Sequence, residues 1–266
     1  MADPQPNSFS LGISHLGVEI HCPDPNSYAR LVARYQDFLV PTITATMVQI
    51  IFSPVEYEPA YPPGINFDGQ RLLVSESGGW GWLSPVEKKG ELYLGLHGST
   101  GTVDYYLRAV FALLAFEAGG FMLHAAGVIN DERVLCFFGH SGSGKTTVSR
   151  YSPPGSILND DLLVLLPTGE DWIVHATPFT NPTQVQPANR SAPLKGLYRL
   201  VQDRLVYVDP LEAGQALAEL YSCLPVIPAD PERSQRLISR LQKLLAKFPV
   251  YSLHFRQDSS FWSILK

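Results

Sequence analysis

A mixed α/β (α+β) fold in two parts is the architecture that this 266-residue sequence predicts. Three observations predict it. Short apolar runs of strand length alternate with helical repeats along the chain. A glycine-rich loop, Gly139–Thr146, lies between an apolar strand and a helix start. The polar stretch Ser99–Thr102 separates a first hundred residues with no chemical motif from a remainder that has one. The expected domains are therefore 1–100, a smaller mixed α/β module that is a scaffold or shapes the substrate side, and 101–266, which carries the loop.

Leu16–His21 reads as a strand, and Asp24-Pro25 starts a helix. Aspartate there caps the free first-turn amides, and proline at the next position loses no needed hydrogen bond. Tyr28, Leu31, Val32, Tyr35, Phe38 and Leu39 form its apolar face. Strands are expected at Thr44–Phe52, Gln70–Val74 and Glu91–Gly95, with the proline-rich Ser53–Phe67 irregular. Val103–Ala118 is a helix apolar on nearly every side that stops at Gly119-Gly120, so it should be buried. Phe121–Ile129 and Arg133–Phe138 are strands joined by a turn at Asn130–Glu132. Ser156–Leu166 and Trp172–Ala176 follow as strands. Asp209-Pro210 and Asp230-Pro231 repeat the cap pattern, the second opening a long helix with Leu237, Ile238, Leu241, Leu244, Leu245 and Phe248 on one face. Val250–Phe255 is the last strand.

A net charge of −5, with no Lys/Arg cluster, argues against a nucleic-acid partner. Cys22, Cys136 and Cys223 have neither metal-ligand spacing nor an even count for a disulfide framework. The longest apolar run, Val110–Phe116, is too short to cross a bilayer, and Met1–Ser8 has no apolar signal region. The expectation is a cytoplasmic protein with no membrane partner.

Gly139-His140-Ser141-Gly142-Ser143-Gly144-Lys145-Thr146 fits the Walker A pattern G-x-x-x-x-G-K-[ST] at every fixed position, and Thr147 follows. Glycines let successive amides turn inward toward phosphate oxygens. Lys145 would reach the β- and γ-phosphates and the Thr146 hydroxyl would ligate magnesium. The expected ligands are thus ATP and Mg²⁺, with Mn²⁺ as an alternative ion. Fourteen residues beyond Thr146 comes Asp160-Asp161. Adjacent carboxylates entering a strand face opposite ways, so one can hold the metal while the other takes a proton from an acceptor hydroxyl. Either order satisfies the pattern; the working assignment is Asp160 as base and Asp161 as metal ligand. His124, on the strand one hairpin before the loop, is a candidate for the γ-phosphate or a metal, against the plainer role of a core histidine.

Leu123-His124-Ala125, Phe137 through Thr147 and Leu158-Asn159-Asp160-Asp161 together resemble the HPr kinase/phosphorylase family and, more distantly, phosphoenolpyruvate carboxykinase. Ser191–Leu197 and Tyr251–Phe255 look like the HPr-kinase-like proteins of bacteria. The resemblance spans about the last 165 residues, with specific motifs in the central forty. It implies a carboxykinase-like P-loop domain with a mixed sheet. It also implies phosphate and metal roles for Lys145 and Thr146, a base within Asp160-Asp161, and metal binding by His124. The E-[LIVM]-R-G signature of HPr kinases is missing from Thr177–Pro193, which points away from HPr as acceptor. The hexameric HPr kinases raise the expectation of a homo-oligomer. The expected activity is therefore an ATP- and Mg-dependent kinase acting on a hydroxyl, a serine-type one included, of a small molecule, peptide or protein. The alternative is a nucleotide-binding regulatory ATPase with no acceptor. A carboxykinase-like reaction comes third.

Overall fold

A computed structural model describes residues 7–41, 45–52, 61–180 and 188–265. The chain divides into two compact units, Met1–Glu117 and Ala118–Lys266. Each contains a mixed sheet, so the mixed α+β class holds. The division falls at the C-terminal end of the helix Thr100–Glu117, which starts within the polar stretch Ser99–Thr102 and groups with the first unit.

The first unit comprises β1 (Ser8–Ile13), β2 (Leu16–His21), α1 (Pro25–Arg34), β3 (Leu39–Val40), β4 (Thr46–Phe52), β5 (Gly64–Asp68), β6 (Arg71–Glu76), β7 (Gly79–Ser84), β8 (Lys89–Leu94) and α2 (Thr100–Glu117). Its strands run in the order β3-β1-β2-β4-β8-β7-β6-β5, with β2–β4 and β4–β8 parallel. Asp24 caps α1 by accepting from the Ser27 amide, as its position before proline implies. The apolar face ends differently from expectation. Leu31, Tyr35 and Phe38 are buried, but the chain leaves the helix after Arg34, makes a 3₁₀ turn at Gln36–Phe38 and places Leu39 in β3. α2 is buried on nearly every side, and its Tyr106 hydroxyl donates to the Trp82 carbonyl. β1 and β7 were not legible in the sequence, and β5 forms inside the stretch expected to be irregular; Ser53–Ala60 of that stretch lies outside the described residues.

The second unit comprises β9 (Phe121–Asn130), β10 (Arg133–Phe138), α3 (Lys145–Arg150), β11 (Ile157–Asn159), β12 (Leu162–Thr168), β13 (Asp171–Ala176), β14 (Ser191–Gln202), β15 (Tyr207–Pro210), α4 (Ala213–Ser222), α5 (Pro231–Lys247) and β16 (Val250–Phe255). Pairing runs β10-β9-β12-β13-β14-β16-β15 and also links β10 to β14, so β9, β12, β13, β14 and β10 form a closed ring of pairings. Within it β10–β14 is parallel, as is β14–β16, and the other pairs are antiparallel. Ala126, Val128, Leu135, Phe137, Val148, Leu200, Leu253 and Phe255 share one core under α3 and the loop.

Two segments fold differently from the sequence expectation. Ser156–Leu166 is not one strand: Asp160-Asp161 forms a bend between β11 and β12, because Asn159 binds the next backbone amides with its side chain. Asp209-Pro210 opens no helix either. It pairs with Ser252 and Tyr251 at the end of β15, and α4 starts at Ala213 with Glu212 accepting from the Gly214 and Gln215 amides. Asp230 does cap α5, through the amides of Glu232 and Arg233. Among the described residues no helix is long and apolar enough to cross a membrane.

Candidate functional site

The loop leaves β10 at Phe138 and returns into α3 at Lys145. Three of its glycines, Gly139, Gly142 and Gly144, have a left-handed φ, and at two of them a side chain would also collide with its surroundings. Gly139 has φ +151°, and a Cβ on it would stand 2.9 Å from Ser143 Cβ. Gly144 has φ +109°, and its Cβ would stand 2.5 Å from the Phe255 ring. These are the two fixed glycines of the pattern. The intervening backbone is held by the Ser143 amide donating to the His140 carbonyl at 3.1 Å and by Gln202 Nε2 donating to the Gly142 carbonyl at 2.8 Å.

Lys145 is buried, and its ammonium donates to the carbonyls of Gly139 at 2.8 Å and His140 at 3.2 Å. Burial lowers its pKa, while Asp161 and Cys223 nearby oppose that shift. Thr146 is exposed on the first turn of α3 and Thr147 is half-buried behind it. His140, Ser141 and Gly142 are exposed at the mouth, and the half-buried Ser143 has a hydroxyl with no hydrogen-bond partner among the described residues.

β9 brings the remaining candidates to the loop. Ala125 is opposite Phe138 in the β9–β10 register, so His124 is level with the start of the loop. On the other side of β9, Leu162 is opposite His124, and the Ala125 amide donates to the Asp161 carbonyl at 3.0 Å. The result is a contact of 3.1 Å between His124 Nε2 and Asp161 Oδ1. His124 is therefore no enclosed core histidine: its side chain is 43% exposed.

The two aspartates occupy different environments. Asp161 is half-buried against His124. Asp160 is 6% exposed, with Oδ1 buried and unpartnered among the described residues. Burial, reinforced by the neighbouring Asp161 charge, pushes its carboxyl up from 3.8 to about 6. The bend that presents the pair hangs on Asn159. Its Oδ1 accepts from the Asp161 amide at 2.7 Å and the Leu162 amide at 3.2 Å, while Nδ2 donates to the Thr177 carbonyl at 2.8 Å and the Phe179 carbonyl at 3.3 Å. Thr177 Oγ1 in turn donates to the Leu162 carbonyl at 2.8 Å.

Four further residues border the loop without having been readable as site residues. Arg199 and Gln202 lie at the carboxyl end of β14, and with Leu200 and Gly139–Ser143 they line an open cleft of about 360 Å³. Glu219 of α4 is 2.9 Å from Arg199 Nε and 3.8 Å from His140 Nε2. One turn on, the Cys223 carbonyl accepts from the His124 amide at 2.9 Å, and its buried thiol receives the Gly139 amide. Burial raises that thiol's pKa. The i, i+4 spacing of Glu219 and Cys223 puts both on one face of a helix, but only the packing of α4 shows which face meets the loop.

Among the described residues no group of three or more His, Cys, Asp or Glu gathers into a metal cage. Magnesium at phosphates needs none, since one or two protein oxygens plus phosphates and waters complete its shell. The hydroxyl of Thr146 and the carboxylate of Asp161 are oxygen donors of the kind that such an ion takes. Comparison of the chain with protein-family models and with curated proteins finds no match.

Proposed function

We propose that the chain is an ATP- and Mg²⁺-dependent kinase with an HPr-kinase-like, carboxykinase-like nucleotide domain, transferring the γ-phosphoryl group to a hydroxyl of a small molecule, peptide or protein. The observation that carries this reading is the convergence on β9. That strand sets His124 beside Asp161 on one side and pairs with the strand that feeds Gly139–Thr146 on the other. A phosphate loop alone serves any nucleotide-binding protein. A buried carboxyl pushed up to about 6, next in the chain to the Asp161 that meets His124, is suited to proton abstraction near neutral pH.

In this reading the loop amides and Lys145 bind the β- and γ-phosphates, with Lys145 exchanging the Gly139 and His140 carbonyls for phosphate oxygens. Thr146 and Asp161 would hold the magnesium ion, which when bound would neutralise charge on the phosphate oxygens. His124 fixes the Asp161 carboxylate. Asp160 takes the acceptor's proton as that hydroxyl oxygen bonds to the γ-phosphorus, and the bond from phosphorus to the β–γ bridging oxygen breaks, releasing ADP.

The test is incubation with γ-labelled ATP and magnesium in the presence of amino-acid, peptide and cell-extract pools, alongside Lys145→Ala. Label should pass to an acceptor with the native protein and not with the variant. Release of inorganic phosphate alone would favour the regulatory ATPase. A Lys145→Ala protein with full activity would sink the phosphate-loop reading.

A further inference from the structure

We propose that Arg199 is an additional ligand for the nucleotide's phosphate chain, held by Glu219 until that anion arrives; this rests on the phosphate-site reading of Gly139–Thr146. The sheet supplies the first argument. β10 and β14 are parallel, and Arg199 is level with Phe138, the residue just before the loop. Both strands therefore end on the same edge. In sheets with parallel strands, ligands bind outside the carboxyl ends. The cleft on that edge is lined by Gly139–Ser143 and by Arg199, so the loop and this arginine border a common space.

The second argument is the partner. Arg199 Nε stands 2.9 Å from Glu219 Oε1 but makes no aligned hydrogen bond there. The pair is held by charge and not by directed bonding. The same carboxylate is also 3.8 Å from His140 within the loop. A guanidinium's planar fork fits two oxygens of one phosphate, and charge-assisted bonds to a polyphosphate outmatch a misaligned carboxylate contact. Exchange of Glu219 for phosphate would place a second cation at the phosphate chain besides Lys145, where it can spread charge that develops during transfer.

The test is calorimetric binding of ATP, ADP and inorganic triphosphate, each with magnesium, to the full chain and to four variants, with melting temperatures recorded. Arg199→Met should weaken ATP and triphosphate binding about tenfold or more, with Arg199→Lys recovering part of the loss. Glu219→Gln should bind at least as tightly as the native protein, because phosphate replaces the carboxylate as partner. Native-like affinity in Arg199→Met, or weakened affinity in Glu219→Gln, would overturn the proposal. If Arg199→Met melts too low to measure, the Arg199→Lys and Glu219→Gln arms decide. Lys145→Ala separates the two readings: loss of binding there with none in Arg199→Met removes only the role of Arg199. Native affinity in both removes the phosphate site itself.

Discussion

Gly144 and Phe255 show how a single missing Cβ sets the site. The left-handed backbone at Gly144 turns the chain into α3, and the Phe255 ring fills the space that a side chain would need. Gly144→Ala is expected to cost about 1–3 kcal/mol through strain and overpacking. It should also weaken nucleotide binding more than the melting loss explains; unchanged affinity at a lowered melting point would contradict this. Asp160 offers a pH test with a definite sign. Its folded pKa is raised from 3.8 to about 6, so the cost of burying its charge is absent in acid and grows as pH rises through that window. The native protein should therefore lose about 2–3 kcal/mol of stability between roughly pH 4 and 6 relative to Asp160→Asn. Turnover should show the opposite trend, rising with pH through about 6 as the base ionises, and Asp160→Asn should lower it about 10²–10⁴-fold. Melting curves and rates on the same two proteins across pH 4–8 check both. The glycines, Lys145 and the aspartates were legible because their chemistry is local. The difference between Asp160 and Asp161 was not, since only packing decides which carboxylate loses its water.

At the scale of elements, the Asp-Pro pattern succeeds at Asp24 and Asp230 and fails at Asp209. The difference is the partner strand. Residues 207–210 pair with β16, so the backbone stays extended through the proline and the helix waits for Glu212. β14 was invisible for a related reason. It contains Pro193, Lys195, Gly196 and Arg199 and lacks a period of two, because it pairs with β13 at its start and lies between β10 and β16 further on. Among the connecting pieces, Asn159 carries the bend between β11 and β12. Asn159→Ala removes an amide that is 2% exposed and leaves buried backbone groups without partners. The expected loss is about 2–4 kcal/mol. Turnover should fall with nucleotide affinity nearly kept, because the aspartates lose their placement while the loop does not. A variant that loses stability alone, with native turnover per folded molecule, would show the bend to be purely structural.

For the whole molecule, the two units have separate sheets. A fragment of residues 118–266 keeps its ring of strand pairings and the core beneath the loop, and is expected to fold and bind ATP. A fragment of residues 101–266, cut at the polar stretch the sequence marks, carries α2 away from β6 and β7 and exposes its apolar surface. It is expected to aggregate. Circular dichroism and size-exclusion chromatography of the two fragments test the division. An aggregated short fragment beside a well-behaved long one would reverse it.

By itself the sequence determined the α+β class, the phosphate-loop pattern, the pair of aspartates and two of the helix caps. All are encoded in side-chain type and spacing within a few residues. The tertiary structure decided that α2 belongs to the first unit and that β14 runs beside β10. It also decided that His124 meets Asp161 and that Arg199, Glu219 and Cys223 surround the loop. His124 and Asp161 lie 37 residues apart, and Cys223 lies 84 residues from Gly139. They meet through strand register and helix packing, which no local pattern of residues contains.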